Sequence, residues 1–200
     1  FPMVLVHRTS PSIINIPSVT VENVDVTRHL IEHLIRVHNR KHIVFLRGPI
    51  HQEDSARREV GYKTALEANG IPFDENLILN GEFERNIALS AMNKFLENGR
   101  RVEFDAVFTG DDDAAIGVLQ SLQQHGLKIP GDVSVVGFDD LGFAPFLNPP
   151  LTTVRAPTES VGRIATEKLF DLLEKHMSNP DGVVILPTEI IFRRSCGCNN

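Results

Sequence analysis

The chain has 200 residues, 42% hydrophobic and 23% charged, which are the proportions of an ordinary globular protein with length for one large domain or two lobes. Its formal charge of -6 argues against nucleic-acid binding by this segment, which would need a basic face, and no apolar run approaches a membrane span. Cys196 and Cys198 share one Cys-Gly-Cys; such close neighbours make a poor structural disulfide, and a four-coordinate metal needs further ligands. The expectation is a free, reduced tail, with no metal site and no cofactor.

Phe1–Val6 is apolar but short, with neither a basic leader nor a small-residue cleavage site, and reads as a strand. Asn23 is then a candidate cap for a helix whose stripe is Leu30, Ile31, Leu34 and Ile35. Lys41–Leu46 is a nearly continuous apolar run, as expected of a strand covered on both faces. A second helix, begun by Ser55 and closed by Gly70, carries Ala56, Val60, Ala65 and Leu66. A third, ending at Gly99, carries Ala88, Ala91, Met92, Phe95 and Leu96. The strand Phe104–Phe108 leads to a fourth helix with Ala115, Val118, Leu119 and Leu122, ending at Gly126, and then to the strand Val133–Phe138. This alternation predicts a parallel α/β sheet flanked by helices.

The rhythm then changes. Pro145, Pro149 and Pro150 mark an irregular connection, and Leu151–Val154 reads as a short extended crossing. Thr158 caps a long helix with Val161, Ile164, Ala165, Leu169, Leu172 and Leu173 on its buried face; Pro180 and Gly182 end that segment. Val183–Phe192 supplies two strands split by Pro187.

Ligands of a parallel sheet collect beyond the carboxyl ends of its strands. Three such ends carry unusual chemistry: Arg47-Gly48-Pro49 leading to Arg57 and Arg58, then Thr109-Gly110-Asp111-Asp112-Asp113, then Asp139-Asp140. The acids also have structural readings, Asp111 as a helix cap with Asp112 and Asp113 beside the dipole, Asp139 and Asp140 as solvated loop acids. The arginines are harder to explain so, because a cation in a first turn opposes the dipole by about 0.3–1 kcal/mol. Pairing with Glu53, Asp54 or Glu59 could offset that cost, and a ligand requiring a donor is the alternative. One guanidinium and two carboxylates in one crevice suit a polyol or nucleoside. Phe143 and Phe146 could wall a ring, although core packing is the commoner fate of such residues.

In order along the chain, PMVLVHR (2–8), VTVEN (19–23), HIVFLRGP (42–49), SARREVGYKTALEANGI (55–71), FTGDDDAAIG (108–117), HGLKIPGDVSVVGFDD (125–140), PPLTTVRAP (149–157) and RRSC (193–196) resemble the effector-binding domain of lactose- and galactose-repressor-type regulators. The resemblance spans practically the whole chain. It implies a type I periplasmic-binding-protein-like fold, with two α/β lobes crossed by three strands and a ligand between them. By that likeness 1–21 is part of the first lobe, 22–149 the second lobe, 150–180 a return to the first and 181–200 a return to the second. The opening units of the first lobe and a helix-turn-helix DNA-binding head would lie outside these residues.

Matched residue by residue, the family's effector-contacting arginine falls on Arg58, followed by Gly61, and its acid after Gly-Phe falls on Asp139. Its Asn-Asp pair falls on Asp111-Asp112, and its Asp-Arg after the first strand on His7-Arg8, two departures that bear on effector identity. The expected ligand set is therefore Arg58, Asp111, Asp139, His7 and Phe146. The implied function is a sugar- or nucleoside-responsive sensor of a cytoplasmic, homodimeric transcription regulator, reaching operator DNA through its head and not embedded in a membrane. The sensor of a hybrid signalling protein and a periplasmic sugar-binding protein are the alternatives. Enzyme signatures are missing: no Gly-x-Ser-x-Gly, Walker loop, Gly-x-Gly-x-x-Gly or His-Glu-x-x-His occurs, so no catalysis is expected.

Overall fold

The computed structural model describes residues 1–10, 16–97, 104–174 and 182–199. Strands β1 (Leu5–Val6) and β2 (Ser18–Val21) are followed by α1 (Val24–His38), β3 (Ile43–Arg47), α2 (Glu53–Ala68), β4 (Ile78–Asn80) and α3 (Arg85–Glu97). Then come β5 (Ala106–Thr109), α4 (Asp112–Gln124), β6 (Ser134–Asp139), β7 (Thr152–Arg155), α5 (Thr158–Leu173), β8 (Val183–Leu186) and β9 (Glu189–Ile191). They form a parallel sheet in the order β1-β2-β8 and a larger one in the order β4-β3-β5-β6-β7-β9, whose last strand alone runs antiparallel.

Why the apolar runs are continuous follows from the period-two pleat. Val44, Leu46, Val107 and Val135 point to one face, where Ala88 and Met92 of α3 and Val118 and Leu122 of α4 cover them. Ile43, Phe45, Phe108, Val136 and Phe138 point to the other, under Leu30 and Leu34 of α1 and Tyr62 and Ala65 of α2. Each fully buried aliphatic or phenyl side chain contributes about 1.5–3 kcal/mol relative to exposure. The smaller sheet packs Val19 and Val21 against Val161 and Ala165 of α5.

Both helix pairs approach closely because glycine sits at each crossing. A Cβ on Gly117 of α4 would lie 2.2 Å from the Arg85 carbonyl oxygen and 2.8 Å from the Leu89 nitrogen of α3. Backbone cannot yield as a flexible side chain does, so Gly117→Ala is expected to cost about 1–3 kcal/mol or more. Urea unfolding measures this; a loss below about 0.5 kcal/mol, the level of an ordinary surface change, would contradict it.

Several sequence expectations shift. α2 begins at Glu53, two residues before Ser55, and ends ahead of Gly70 at φ +67°. The expected ends at Gly99 and Pro180 lie outside the described residues. Leu151–Val154 is not a crossing: Thr152, Thr153 and Val154 are buried as β7 pairs with β6, and the Pro149-Pro150 break only precedes that pairing. The chain leaves the larger sheet after Arg155, not at 150, and β8 still belongs to the smaller sheet, so the return falls after Leu186, not at 181. The three passages between sheets are thus residues 22–23, 156–157 and 187–188. The Cys-Gly-Cys tail is also not isolated, since His33 and His38 of α1 meet it.

Candidate functional site

The carboxyl ends of β3, β5 and β6 converge where β1 and β2 of the smaller sheet also end. Their meeting point is Arg58, in the second turn of α2 and only 4% exposed. Its Nε donates to Asn23 Oδ1 at 2.8 Å, and one terminal nitrogen donates to the Gly110 carbonyl. The guanidinium lies flat over the Phe138 ring, its central carbon 3.5 Å from the centroid, and 5.5 Å from that of Phe83. The remaining terminal nitrogen is directed toward Asp139, 3.9 Å from Oδ1. That separation exceeds a hydrogen bond, so a donor and an acceptor are held side by side without consuming one another.

Asn23 is the residue that joins the lobes to this arginine. It precedes α1 but makes no side-chain cap bond; instead its amide nitrogen donates to Asp54 Oδ1 at 2.9 Å and to the Val21 carbonyl at 3.0 Å. Asp54 Oδ2 lies 3.0 Å from Nδ1 of His7, just past β1. Beside it, the Thr9 nitrogen and hydroxyl donate to the Glu53 carboxylate at 2.6 and 2.7 Å. Two carboxylates in the first turn of α2, favourably placed against its dipole, thereby hold the segment after β1 across the gap between sheets. The dipole cost expected for Arg57 and Arg58 is offset locally: Arg57 pairs with Glu53, and Arg58 sits among carboxylates.

The acids differ sharply in what they are free to do. Asp111 caps α4 through Ala114 N at 3.1 Å, as its type and position predict. Asp112, read as a dipole-facing acid, is completely buried and saturated, accepting from the Thr153 hydroxyl at 2.6 Å and Leu141 N at 2.9 Å. Asp140, read as solvated, is clamped by Arg155 and Arg193 at 2.7 and 2.6 Å. The Asp139 carboxylate accepts no hydrogen bond from the described residues, its cationic partner Arg58 standing 3.9 Å away. It borders a cleft of about 590 Å³ whose walls include Arg155, Ala156, Pro157, Ser160 and Glu189, where the chain passes between sheets.

Burial raises Asp111 to about 6 and Asp112 to about 7, and also pushes Asp139 up against the opposing pull of Arg58 and His7. Asp54 moves the other way: despite burial, His7, Arg58 and Asn23 hold it below the ordinary carboxylate range. His7 is raised, chiefly by the Asp54 carboxylate 3.0 Å from its Nδ1. Backbone conformation is unusual at the same place. His7 (φ +54°), Phe83 (+58°), Asp139 (+108°) and Asp140 (+54°) occupy positive φ without being glycine, a concentration of strain of the kind that marks ligand clamps.

Of the expected set, Arg58, Asp111, Asp139 and His7 are drawn into one electrostatic cluster. Phe146 is not; it is 85% exposed in the turn Ala144–Phe146 and does not line the cleft. The aromatics against Arg58 are Phe138 and Phe83, and the Phe83 ring lies across two glycines: a Cβ on Gly48 or Gly110 would stand 2.2 or 2.6 Å from it. Gly48 and Gly110 close their strand ends in the sequence, but only the fold shows that one ring needs both.

Comparison with known proteins agrees with this architecture. Residues 31–196 match the periplasmic binding protein-like domain family. Catabolite control protein A of Priestia megaterium is 31% identical over 181 residues, 90% of this chain and 53% of that protein. The HTH-type transcriptional repressor PurR of Vibrio atlanticus is 38% identical over 84% of the chain and 48% of its own length. The chain thus spans about half the length of the curated relatives it matches. Among solved structures, the regulator CelR in complex with cellobiose superimposes with a TM-score of 0.87 at 31% identity, covering 96% of this chain and 58% of that one. CcpA of Lactococcus lactis gives 0.85 at 28%, covering 97% and 69%. The chain belongs to the periplasmic binding protein-like family, and it is similar to the effector-binding domain of lactose-repressor-family regulators. These relatives are transcription regulators, not enzymes, and among the described residues no helix is long and apolar enough to cross a membrane.

Proposed function

We propose that the domain senses a small polyol, a sugar or a nucleoside's sugar moiety, bound between the two lobes at Arg58 and Asp139. The observation that carries this is the unspent pair itself: a buried guanidinium anchored on Asn23 and Gly110 beside a carboxylate 3.9 Å away. Adjacent hydroxyls are donors and acceptors at once, so they complement both groups. Asp54, Asp111, Asp112 and Asp139 outnumber Arg58, which favours a neutral or amine-bearing ligand over an anion. Phe83 offers the apolar face for a ring. The cellobiose in the CelR complex and the name of the ribose operon repressor of Escherichia coli, 36% identical over 72% of the chain, support the sugar class.

Closure follows from linkage: the effector shifts the lobes only as far as it binds their two arrangements unequally. The output is repositioning of DNA-binding heads in a cytoplasmic homodimer, with isologous pairing matched to a palindromic operator, and without turnover of the effector. A thermal-shift panel of pentoses, hexoses, disaccharides and nucleosides tests the reading. At one-hundredfold its dissociation constant the effector should stabilise the protein by about 2.7 kcal/mol. A shift produced by phosphate or carboxylate ligands and by no polyol would overturn it.

A further inference from the structure

On the side of α1 remote from Asn23, the helix delivers two imidazoles to the chain's Cys-Gly-Cys. His33 Nε2 and His38 Nε2 lie 3.0 Å apart, and Cys198 Sγ lies 3.4 and 3.5 Å from them. Cys196 Sγ completes the group, and all four ligand atoms fall within 4.8 Å of one another. We infer that these four side chains form a mononuclear zinc site of the Cys2His2 type that fastens the tail to α1.

The argument is first geometric. Zinc takes thiolate sulfur at about 2.3 Å and imidazole nitrogen at about 2.0–2.1 Å in a tetrahedron, whose edges are then roughly 3.3–3.8 Å. Four donors already clustered on that scale need only small side-chain adjustments. A two-iron cluster would need its ligands spread wider, and a hard cation such as magnesium prefers oxygen donors.

The local fold is built to hold this arrangement. Cys196 is fully buried, in the short turn Arg194–Cys196 that Ser195 pins to the larger sheet through the Val135 carbonyl at 2.6 Å. Ser134 donates to the Cys196 carbonyl at 2.8 Å, and the Thr152 hydroxyl, 2.8 Å from the Arg193 carbonyl, stands 3.1 Å from Cys196 Sγ, so its one proton can be turned to a thiolate there. Gly197 then turns the chain at φ +113° while the His38 ring presses on it; a Cβ there would meet His38 Nδ1 at 2.9 Å. Only glycine lets Cys198 come round to the same point as Cys196. On the helix side, Phe192 packs on His33 with centroids 4.3 Å apart, fixing that ring. His33 and His38 are otherwise two imidazoles facing each other nitrogen to nitrogen, an arrangement that one shared proton or one cation can satisfy.

An ion here would lock the carboxyl end of the helix whose other end follows Asn23, tying α1 to the turn Arg194–Cys196. The inference stands independently of the effector.

The test uses the untagged protein under reducing conditions. Elemental analysis is expected to find one zinc per chain, and Co²⁺ added after zinc removal should give the intense visible bands of tetrahedral cobalt with a thiolate charge-transfer band. Zn²⁺ should raise the melting temperature. Cys198→Ser and His38→Gln, which leave buried Cys196 in place, should each weaken the metal by more than about a hundredfold, exceeding what loss of an outer-sphere partner typically causes, and abolish the zinc-dependent stabilisation. Reduced protein that takes up neither Zn²⁺ nor Co²⁺ would overturn the site, as would Co²⁺ binding without thiolate bands or wild-type affinity in both variants.

Discussion

Replacing Arg58 with methionine is expected to destabilise the domain by about 3–5 kcal/mol, the range for breaking a buried charge arrangement from one side. The guanidinium is the cation that Asp54, Asp111, Asp112 and Asp139 share. Its removal also leaves Asn23 Oδ1 and the Gly110 carbonyl without their donor. Methionine keeps the packing over Phe138 and Phe83, so the loss reads the charge and hydrogen bonds, not a cavity. Arg58→Lys should recover little, because one ammonium cannot reach Asn23, Gly110 and Asp139 in a fixed fork. The sign of the pH effect is a second readout: the penalty for Arg58→Met should be smaller at pH 5, where Asp111 and Asp112 are largely protonated, than at pH 8. Equal urea midpoints for wild type and variant at pH 8 would contradict this picture of the site.

The wild-type domain should itself be most stable at about pH 4–5 and lose stability toward pH 8. Asp111 and Asp112 titrate at about 6 and about 7 in the folded chain and at about 3.9 unfolded. Between those values the folded state binds more protons, so stability falls as pH rises from about 4 to about 7. His7 acts in the same direction: its stabilisation is complete below the unfolded value of about 6.5 and is lost as pH rises through the higher folded one. Asp54 and Glu53 are lowered in the folded chain, so their contribution is present above the unfolded carboxylate value and lost as pH falls through the folded one. The two sets bracket the optimum. Asp112→Asn should flatten the alkaline limb, since the amide oxygen can still accept from Thr153 or Leu141 without ionising. Denaturant midpoints across pH 4–8 measure this, and a midpoint rising from pH 5 to pH 8 would contradict it.

Much of the fold was legible because burial leaves periodic marks. Leu30, Ile31 and Leu34 follow the helical period and Val133–Phe138 the continuous pattern of a doubly covered strand, and both are buried. The sheet that β7 would join was not legible. Thr152 and Thr153 look like an exposed crossing, yet their hydroxyls are satisfied at distant positions, by the Arg193 carbonyl and Asp112. The candidate cluster could be read at Arg58, Asp111 and Asp139 because they follow strand ends. Asn23 and Asp54 could not, since each has a sufficient local role as a helix-start residue, and their mutual bond joins positions 31 apart. Phe83 followed a short, weak strand and gave no pattern of its own. The histidines of α1 gave no pattern of their own, because their thiol partner Cys198 lies some 160 positions away.

The most direct test of the central claim is calorimetric titration of the effector, identified by thermal shift, into wild-type protein and Asp139→Ala. Asp139 borders the cleft and its nearest cation is 3.9 Å distant, so its acceptors serve a ligand more than the fold. Removing them leaves the effector's hydroxyls or amines unpaired, at about 1–3 kcal/mol, which is roughly tenfold to a hundredfold in affinity. The expected result is that loss of affinity with the apo melting temperature lowered little or not at all. Undiminished affinity would contradict the placement of the site, and a collapsed melting temperature would make Asp139 a structural residue.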